Sequence, residues 1–196
     1  ADFAKIAPGI VVSLRARSSQ AVLQHLVSQQ FDLGFAALDT DHPAVRRSPI
    51  CTAPMMAVLP LGHPLAKKSR LEPADFHDQA FVALGAEIAT RTETDAFLAL
   101  GQARPRLVAV AQLSASICEL VAAGSGISIV EPVTALNFAE TGRVILRPLH
   151  PEQPFRYDLL LPALREPSRV ALQFLTLVED QFAAMKRRIK DAAAGH

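Results

Sequence analysis

Short runs rich in Val, Ile, Leu and Phe alternate along this chain with stretches in which apolar residues recur every three or four positions. The runs Ile10–Leu14, Phe31–Phe35, Met55–Leu59, Phe81–Leu84, Leu107–Val110, Ile127–Val130, Val144–Leu146 and Tyr157–Leu161 are bounded by Pro, Gly, Asp or Ser and predict strands. Their continuous apolar character is that of strands buried on both faces, as in parallel sheets.

The intervening segments carry helix ends. Ser18 or Ser19 can cap a helix with Val22, Leu23, Leu26 and Val27 on one side. Thr90 with Glu93, and Ser116 with Glu119, have capping-box spacing, and these two helices stop at Gly101 and Gly124. Ser168 precedes a long last helix with Ala171, Phe174, Leu175, Val178, Phe182, Met185 and Ile189 on one face. Strand–helix alternation with short loops predicts layered, parallel α/β architecture. Pro60, Pro64 and Pro73, and then the His150–Pro154 stretch, mark the borders of an inserted lobe. At the start, Asp2–Ala7 reads as the tail of a helix ended by Pro8-Gly9, so a fragment of a longer chain is expected.

Composition narrows the class. A chain of 196 residues buries roughly 70% of its unfolded surface and needs no disulfide or metal support. Half the residues are hydrophobic and the formal net charge is +1, which gives no basic nucleic-acid surface. Two cysteines imply no disulfide scaffold. The N-terminal apolar run is interrupted by Asp2, Lys5, Pro8 and Gly9, unlike a signal peptide. No apolar stretch reaches the ~20 residues that span a bilayer. A cytoplasmic location is expected, although a mature periplasmic protein would also lack its signal.

No catalytic residue and no cofactor are expected. The chain has no CxxC, HExxH, GxSxG or GxxxxGK[ST] motif. His42, His63 and His77 sit beside Pro or Asp and read as turn histidines without the third ligand a metal needs. Cys118, between Ile117 and Glu119, and Cys51 read as small buried hydrophobes. What remains are two similar devices. Ile10–Leu14 leads to a helix start at Ser18-Ser19-Gln20, and Leu107–Val110 leads to another at Gln112-Leu113-Ser114. The free amides of a helix N-terminus suit an anion such as a carboxylate, and ligands of open α/β sheets gather beyond the carboxyl ends of strands. A serine at a helix start is equally well an ordinary cap.

These residues bring out a likeness over essentially the whole length. The runs Gln29–Phe35, Val58–Ala66 (VLPLGHPLA), Phe81–Leu84, Ser114–Gly124, Gly126–Val130 and Pro132–Ala135 together resemble the effector-binding domain of LysR-type transcriptional regulators. The Ser114–Val130 stretch and the Pro132–Ala135 run point to the branch that includes LysR itself and the opine-responsive regulators. The resemblance implies an α/β fold like type 2 periplasmic binding proteins, two lobes with a ligand cleft between them. Lobe I would comprise residues 1–53 and 155–196, without its first strand, and lobe II residues 54–154.

Carried over by position, the resemblance places effector contacts at Ser18, Ser19 and Gln20, at Ala36 and Ala37, at Leu84 and Gly85, at Gln112, Leu113 and Ser114, and at Glu131. Ala37 lacks the arginine of some relatives, so a dianionic aromatic effector fits less well. Val110-Ala111 replaces a Glu-Thr pair, Gly85 stands where Ser is frequent, and Glu131 where Asn is common. The resemblance further implies an amino acid or derivative as effector, and a homodimer or tetramer formed through Ile10–Leu14 and the Ala21–Gln30 helix. DNA would be a partner only through an N-terminal winged helix-turn-helix outside this chain, and no membrane partner is implied. A solute-binding protein of a transporter is the rival reading, and an enzyme on the same fold is the third.

Overall fold

The computed structural model describes the backbone of residues 2–38 and 40–193 and the side chains of residues 3–38 and 40–189. In chain order the elements are α1 (Asp2–Ile6), α2 (Ser19–Val27), β1 (Gly34–Ala36), β2 (Val45–Pro54), β3 (Met56–Pro60), β4 (Ala80–Leu84), α3 (Ala89–Leu100), β5 (Arg106–Ala111), α4 (Ser114–Ala122), β6 (Ser128–Val130), α5 (Pro132–Glu140), β7 (Val144–Pro148), β8 (Pro154–Pro162) and α6 (Arg169–Ala193). The chain divides into two compact units. One comprises residues up to Thr52 with Arg156–Arg187, the other Ala53–Phe155 with the end of α6 from Arg188.

In the first unit β8 lies between β1 and β2, and β1 runs antiparallel to it with Gly34 opposite Leu160 and Ala36 opposite Asp158. Helix α2 buries Val22, Leu23 and Leu26 against Ala36, Leu38 and Leu160. The contact is close because residue 34 is glycine: a Cβ there would stand 2.5 Å from Val22 Cγ1 and 3.2 Å from Leu26 Cδ1. At the start of α6, Ser168 Oγ accepts the Ala171 amide at 3.1 Å, as its sequence position predicts. Along the apolar face of that helix, Phe174 packs edge-on to Phe3 of α1 and Phe182 meets Phe35 and Tyr157.

The second unit is built on a mixed sheet. Strand β3 lies between β6 and β7, antiparallel to both, while β4 and β5 run parallel. A parallel bridge between Phe81 and Ile127 joins the two groups, and the buried Ser128 hydroxyl donates to the Val82 carbonyl at 2.7 Å. The resulting strand order is β5-β4-β6-β3-β7. Its core gathers Met56, Val58, Val82, Leu84, Ile117, Cys118, Val121, Val130, Ala135 and Val144.

Several sequence expectations need correcting. Ile10–Leu14 forms no strand: no described strand pairs with it, and its side chains are exposed, Val11 at 93% and Leu14 at 91%. Apolar composition supplies β propensity but not the partner edge that a strand requires. The Phe31–Phe35 strand begins only at Gly34. Strand β2 went unpredicted because Arg46, Arg47 and Pro49 interrupt its apolar pattern; it is an edge strand, where proline is tolerated. Parallel pairing is confined to β4–β5 and the isolated bridges among the described pairs, since β3 runs antiparallel to both β6 and β7.

Neither capping box forms at its predicted start. Helix α3 begins at Ala89 behind Ile88, and α4 at Ser114 behind Leu113, each without a side-chain cap, so that Thr90 and Ser116 lie within the helices. The turn histidines hold: Nδ1 of His42, His63 and His77 accepts the backbone amides of Ala44, Leu65 and Arg104 respectively. Both cysteines are buried and free, as expected. Burial, helped by the charges of Glu131 and then Glu119, pushes the Cys118 thiol up to about 12. Burial also raises Cys51, partly opposed by Lys186.

Two expectations follow from this packing. Gly34→Ala forces α2 off β1 and should cost about 1–3 kcal/mol of stability, the range for overpacking, read from urea unfolding. Cys118 is thereby held in its unreactive thiol form at pH 8. The native protein should therefore resist iodoacetamide at Cys118 until denaturant is added; rapid labelling of the folded chain would contradict the burial argument.

Candidate functional site

In the first unit the predicted positions converge at the start of α2 and the end of β1. Ser18 is the N-cap of α2: its backbone is extended, and Oγ accepts the Ala21 amide at 3.4 Å. Ser19, the first helical residue, accepts the Ala37 amide on Oγ at 3.2 Å. That bond ties the helix start to the residue that follows β1, which brings Ser18, Ser19, Ala36 and Ala37 together. Each hydroxyl that accepts still carries a proton to donate. Gln20 is exposed on the first turn, and no described hydrogen bond joins it to this group.

Beneath the same segment lies a network that the sequence reading missed. Asp158, with a side chain only 2% exposed, is bonded to Arg156 Nε at 3.0 Å and lies 3.8 Å from Arg47. Both guanidinium groups donate to the Leu38 carbonyl, at 2.6 Å from Arg47 and 3.0 Å from Arg156. Arg47 also pairs with Asp41 at 2.8 Å. The backbone just past Ala37 is thereby pinned from two sides. The one available signal was Asp158 itself, a charge inside the apolar Tyr157–Leu161 strand.

In the second unit the predicted residues line up along one edge. Leu84 opposes Ala111 in the parallel β4–β5 pair, and the Gly85 amide donates to the Ala111 carbonyl at 3.1 Å. Leu84, Gly85 and Gln112 through Ser114 therefore emerge side by side at the carboxyl ends of these strands. The parallel bridge of Phe81 to Ile127 carries the register on to β6, so Glu131 leaves the sheet at the same edge.

The two helices that start there differ. Glu131 caps α5, its carboxylate accepting the Val133 amide at 2.9 Å and the Thr134 amide at 3.1 Å. The anion place at α5 is thus filled from within the chain. Helix α4 has no such cap. Its first backbone bond runs from Ile117 to the Leu113 carbonyl, which leaves the amides of Ser114, Ala115 and Ser116 without intrahelical partners.

Glu87 is the second group the sequence did not flag. A Cβ on Gly85 would lie 2.6 Å from each Glu87 carboxylate oxygen and 2.8 Å from Gln112 Nε2, so these two side chains occupy the space the glycine leaves. A hydrogen bond from its own backbone amide, and then one from Gln112, hold the Glu87 carboxyl below the usual range. Further along α4, Arg143 does the same for Glu119.

The geometry can be set beside known proteins. The family model for the LysR substrate binding domain matches residues 1–183. The chain is 31% identical over 166 residues to the transcriptional activator protein LysR of Escherichia coli K12, covering 85% of this chain and 53% of that protein. It is 29% identical over 178 residues to the regulatory protein NocR of Agrobacterium tumefaciens T37, covering 91% of this chain and 59% of NocR. The chain thus spans just over half the length of these relatives.

Among solved structures, it is similar to the CcmR regulatory domain of Synechocystis PCC6803 in complex with 2-PG, with a TM-score of 0.76 at 19% identity over 91% of this chain and 86% of that one. It is also similar to the BenM effector-binding domain with its effector benzoate, with a TM-score of 0.69 at 20% identity over 94% of this chain and 83% of that one. The fold is accordingly the two-lobed α/β arrangement of type 2 periplasmic binding proteins. By the match along residues 1–183, this chain belongs to the family of LysR substrate-binding domains.

Proposed function

We propose that this chain is the ligand-sensing part of a LysR-type transcription regulator that works in the cytoplasm and performs no catalysis. On this reading residues 1–53 and 155–196 form lobe I, which lacks its first strand, and residues 54–154 form lobe II. A small effector, an amino acid or a derivative of one, binds between them. Its carboxylate meets the Ser18 and Ser19 hydroxyls, and its other polar end meets Gln112, Ser114 or Glu131. Gln20, Ala36, Ala37, Leu84, Gly85 and Leu113 complete the walls.

The observation that carries the reading is the α4 start: three amides without intrahelical partners stand at the strand-end edge where Gly85 and Gln112 emerge. The serine-tied start of α2 supports the matching half. Binding would shift the balance between arrangements of the lobes, which requires different affinity for each. The shift would reach DNA through a winged helix-turn-helix that is not part of these residues. The regulatory relatives favour this over a transporter's solute-binding protein.

Self-association is part of the proposal, as a homodimer or tetramer through Ile10–Leu14 and α2. The exposed Ile10, Val11, Val12 and Leu14 support it, since a contiguous apolar patch marks an interaction surface.

Ser19→Ala should weaken effector binding at least about tenfold, the loss of one charge-assisted hydrogen bond, in calorimetry with an amino-acid panel. Ser114→Val should weaken it similarly. Unchanged isotherms for both variants would remove the helix starts from the site. Val11→Glu with Leu14→Glu should lower the molar mass in sedimentation equilibrium; an unaltered mass would exclude that segment from the interface.

A further inference from the structure

We propose that Asp158 is a positioning residue for effector binding: through Arg47 and Arg156 it fixes the Ala37–Leu38 backbone, and thereby the direction in which the Ser19 hydroxyl offers its proton. The inference deepens the effector-binding reading and rests on it.

The Ala37–Leu38 stretch is held at both ends. At one end the Ala37 amide donates to Ser19 Oγ at 3.2 Å. At the other, the Leu38 carbonyl accepts from Arg47 Nη1 at 2.6 Å and from Arg156 Nη2 at 3.0 Å. A carbonyl oxygen has two lone pairs, so two guanidinium donors fill it. Between these anchors lie only the soft dihedrals of Ala37 and Leu38. Because Ser19 Oγ accepts along the bond from Ala37, its own proton points another way, and any movement of that amide turns it.

Asp158 orients both donors. Its carboxylate accepts Arg156 Nε at 3.0 Å and lies 3.8 Å from Arg47 Nη1. Arg156 is thereby a bridge, with Nε on Asp158 and Nη2 on Leu38. The strand register brings the carboxylate to this place, since Asp158 stands opposite Ala36. Stability does not account for a charge here. Leu159 and Leu160 beside it are buried, and apolar residues in place of a buried ion pair are often as stable or more so. What the carboxylate adds is direction, because it aims two guanidinium groups at one backbone oxygen.

The test begins without ligand. By NMR hydrogen exchange, the Ala37 amide should exchange at least about tenfold faster in Arg156→Lys, whose single ammonium cannot span Asp158 and Leu38. The Leu26 amide within α2 should keep its protection. Calorimetry then uses whichever proteinogenic L-amino acid binds the wild type most tightly. Ser19→Ala, which should weaken the wild type about tenfold, should cost less than about threefold in the Arg156→Lys background, because a hydroxyl no longer aimed has little left to lose. A residue that only supports the fold gives losses that multiply independently. Asp158→Asn, which keeps the shape and removes the charge, should show the same two effects; Arg156→Lys, at an exposed position, decides the matter if that variant does not fold. Unchanged Ala37 exchange, or a Ser19→Ala loss of equal size in both backgrounds, would overturn the assignment and leave the effector reading standing. A wild type that binds no member of the set overturns that reading, and this inference with it.

Discussion

Every helix opens with amides that its own backbone cannot satisfy, and the way each start meets that demand orders this molecule. Helix α6 uses Ser168, α2 uses Ser18, and α5 uses the Glu131 carboxylate. Helix α4 uses no side chain at all. The four starts face the same electrostatic requirement and differ in what is left over. A carboxylate cap satisfies two amides and cancels the local positive end, which closes α5 to another anion. A serine cap leaves a hydroxyl proton available. An uncapped start retains its amides and its partial positive charge.

Those leftovers matter only where the scaffold keeps them fixed. In the first unit, Ser19 binds the Ala37 amide, and Gly34 lets α2 settle directly onto β1. The buried Asp158 then holds Arg156 and lies beside Arg47, while both guanidinium groups grip the Leu38 carbonyl. Removing water from a carboxylate costs several kcal/mol unless it is paired, so Asp158 requires those arginines. The outcome is local rigidity beside two hydroxyls. In the second unit the parallel register of β4, β5 and β6 performs the equivalent task, because it delivers three loops to one edge.

Much of this was legible in the residues, and the failures have physical causes. Helix α2 and its serine cap, the Ser168 start, the Gly124 stop and most strands follow from local periodicity and capping chemistry. Strand β2 did not, since its place is fixed by pairing with β8 and not by its own composition. Ile10–Leu14 failed in the opposite direction, having the composition without the partner. The capping boxes failed because spacing cannot tell which residue a helix begins on; α3 and α4 start one and two residues before the serine or threonine proposed as cap. The helix-start serines of the candidate site were readable one by one. Glu87 was not, because its position depends on an absent side chain two residues earlier, and Asp158 was not, because its setting combines Arg156 of its own strand with Arg47 of β2, more than a hundred residues earlier.

On the proposed reading, the two groups of candidate residues differ in chemical character. Around Ser18, Ser19 and Ala37 the free groups are hydroxyl donors beside a helix start, suited to an acceptor. Around Gly85 an exposed carboxylate stands next to α4, so the edge offers both an acceptor and partly unsatisfied amides. A molecule with one charged end could satisfy either half and would leave the other as it was. On the proposed reading, one carrying two different polar ends could satisfy both, and its binding free energy would then depend on how the lobes are arranged. Differential affinity of that kind is what a switch requires, since a ligand shifts an equilibrium only by what it gains in one arrangement over the other. The difference between the two groups is therefore, on that reading, itself part of the sensing device, because it makes a ligand with two polar ends sensitive to lobe arrangement in a way that one with a single polar end is not.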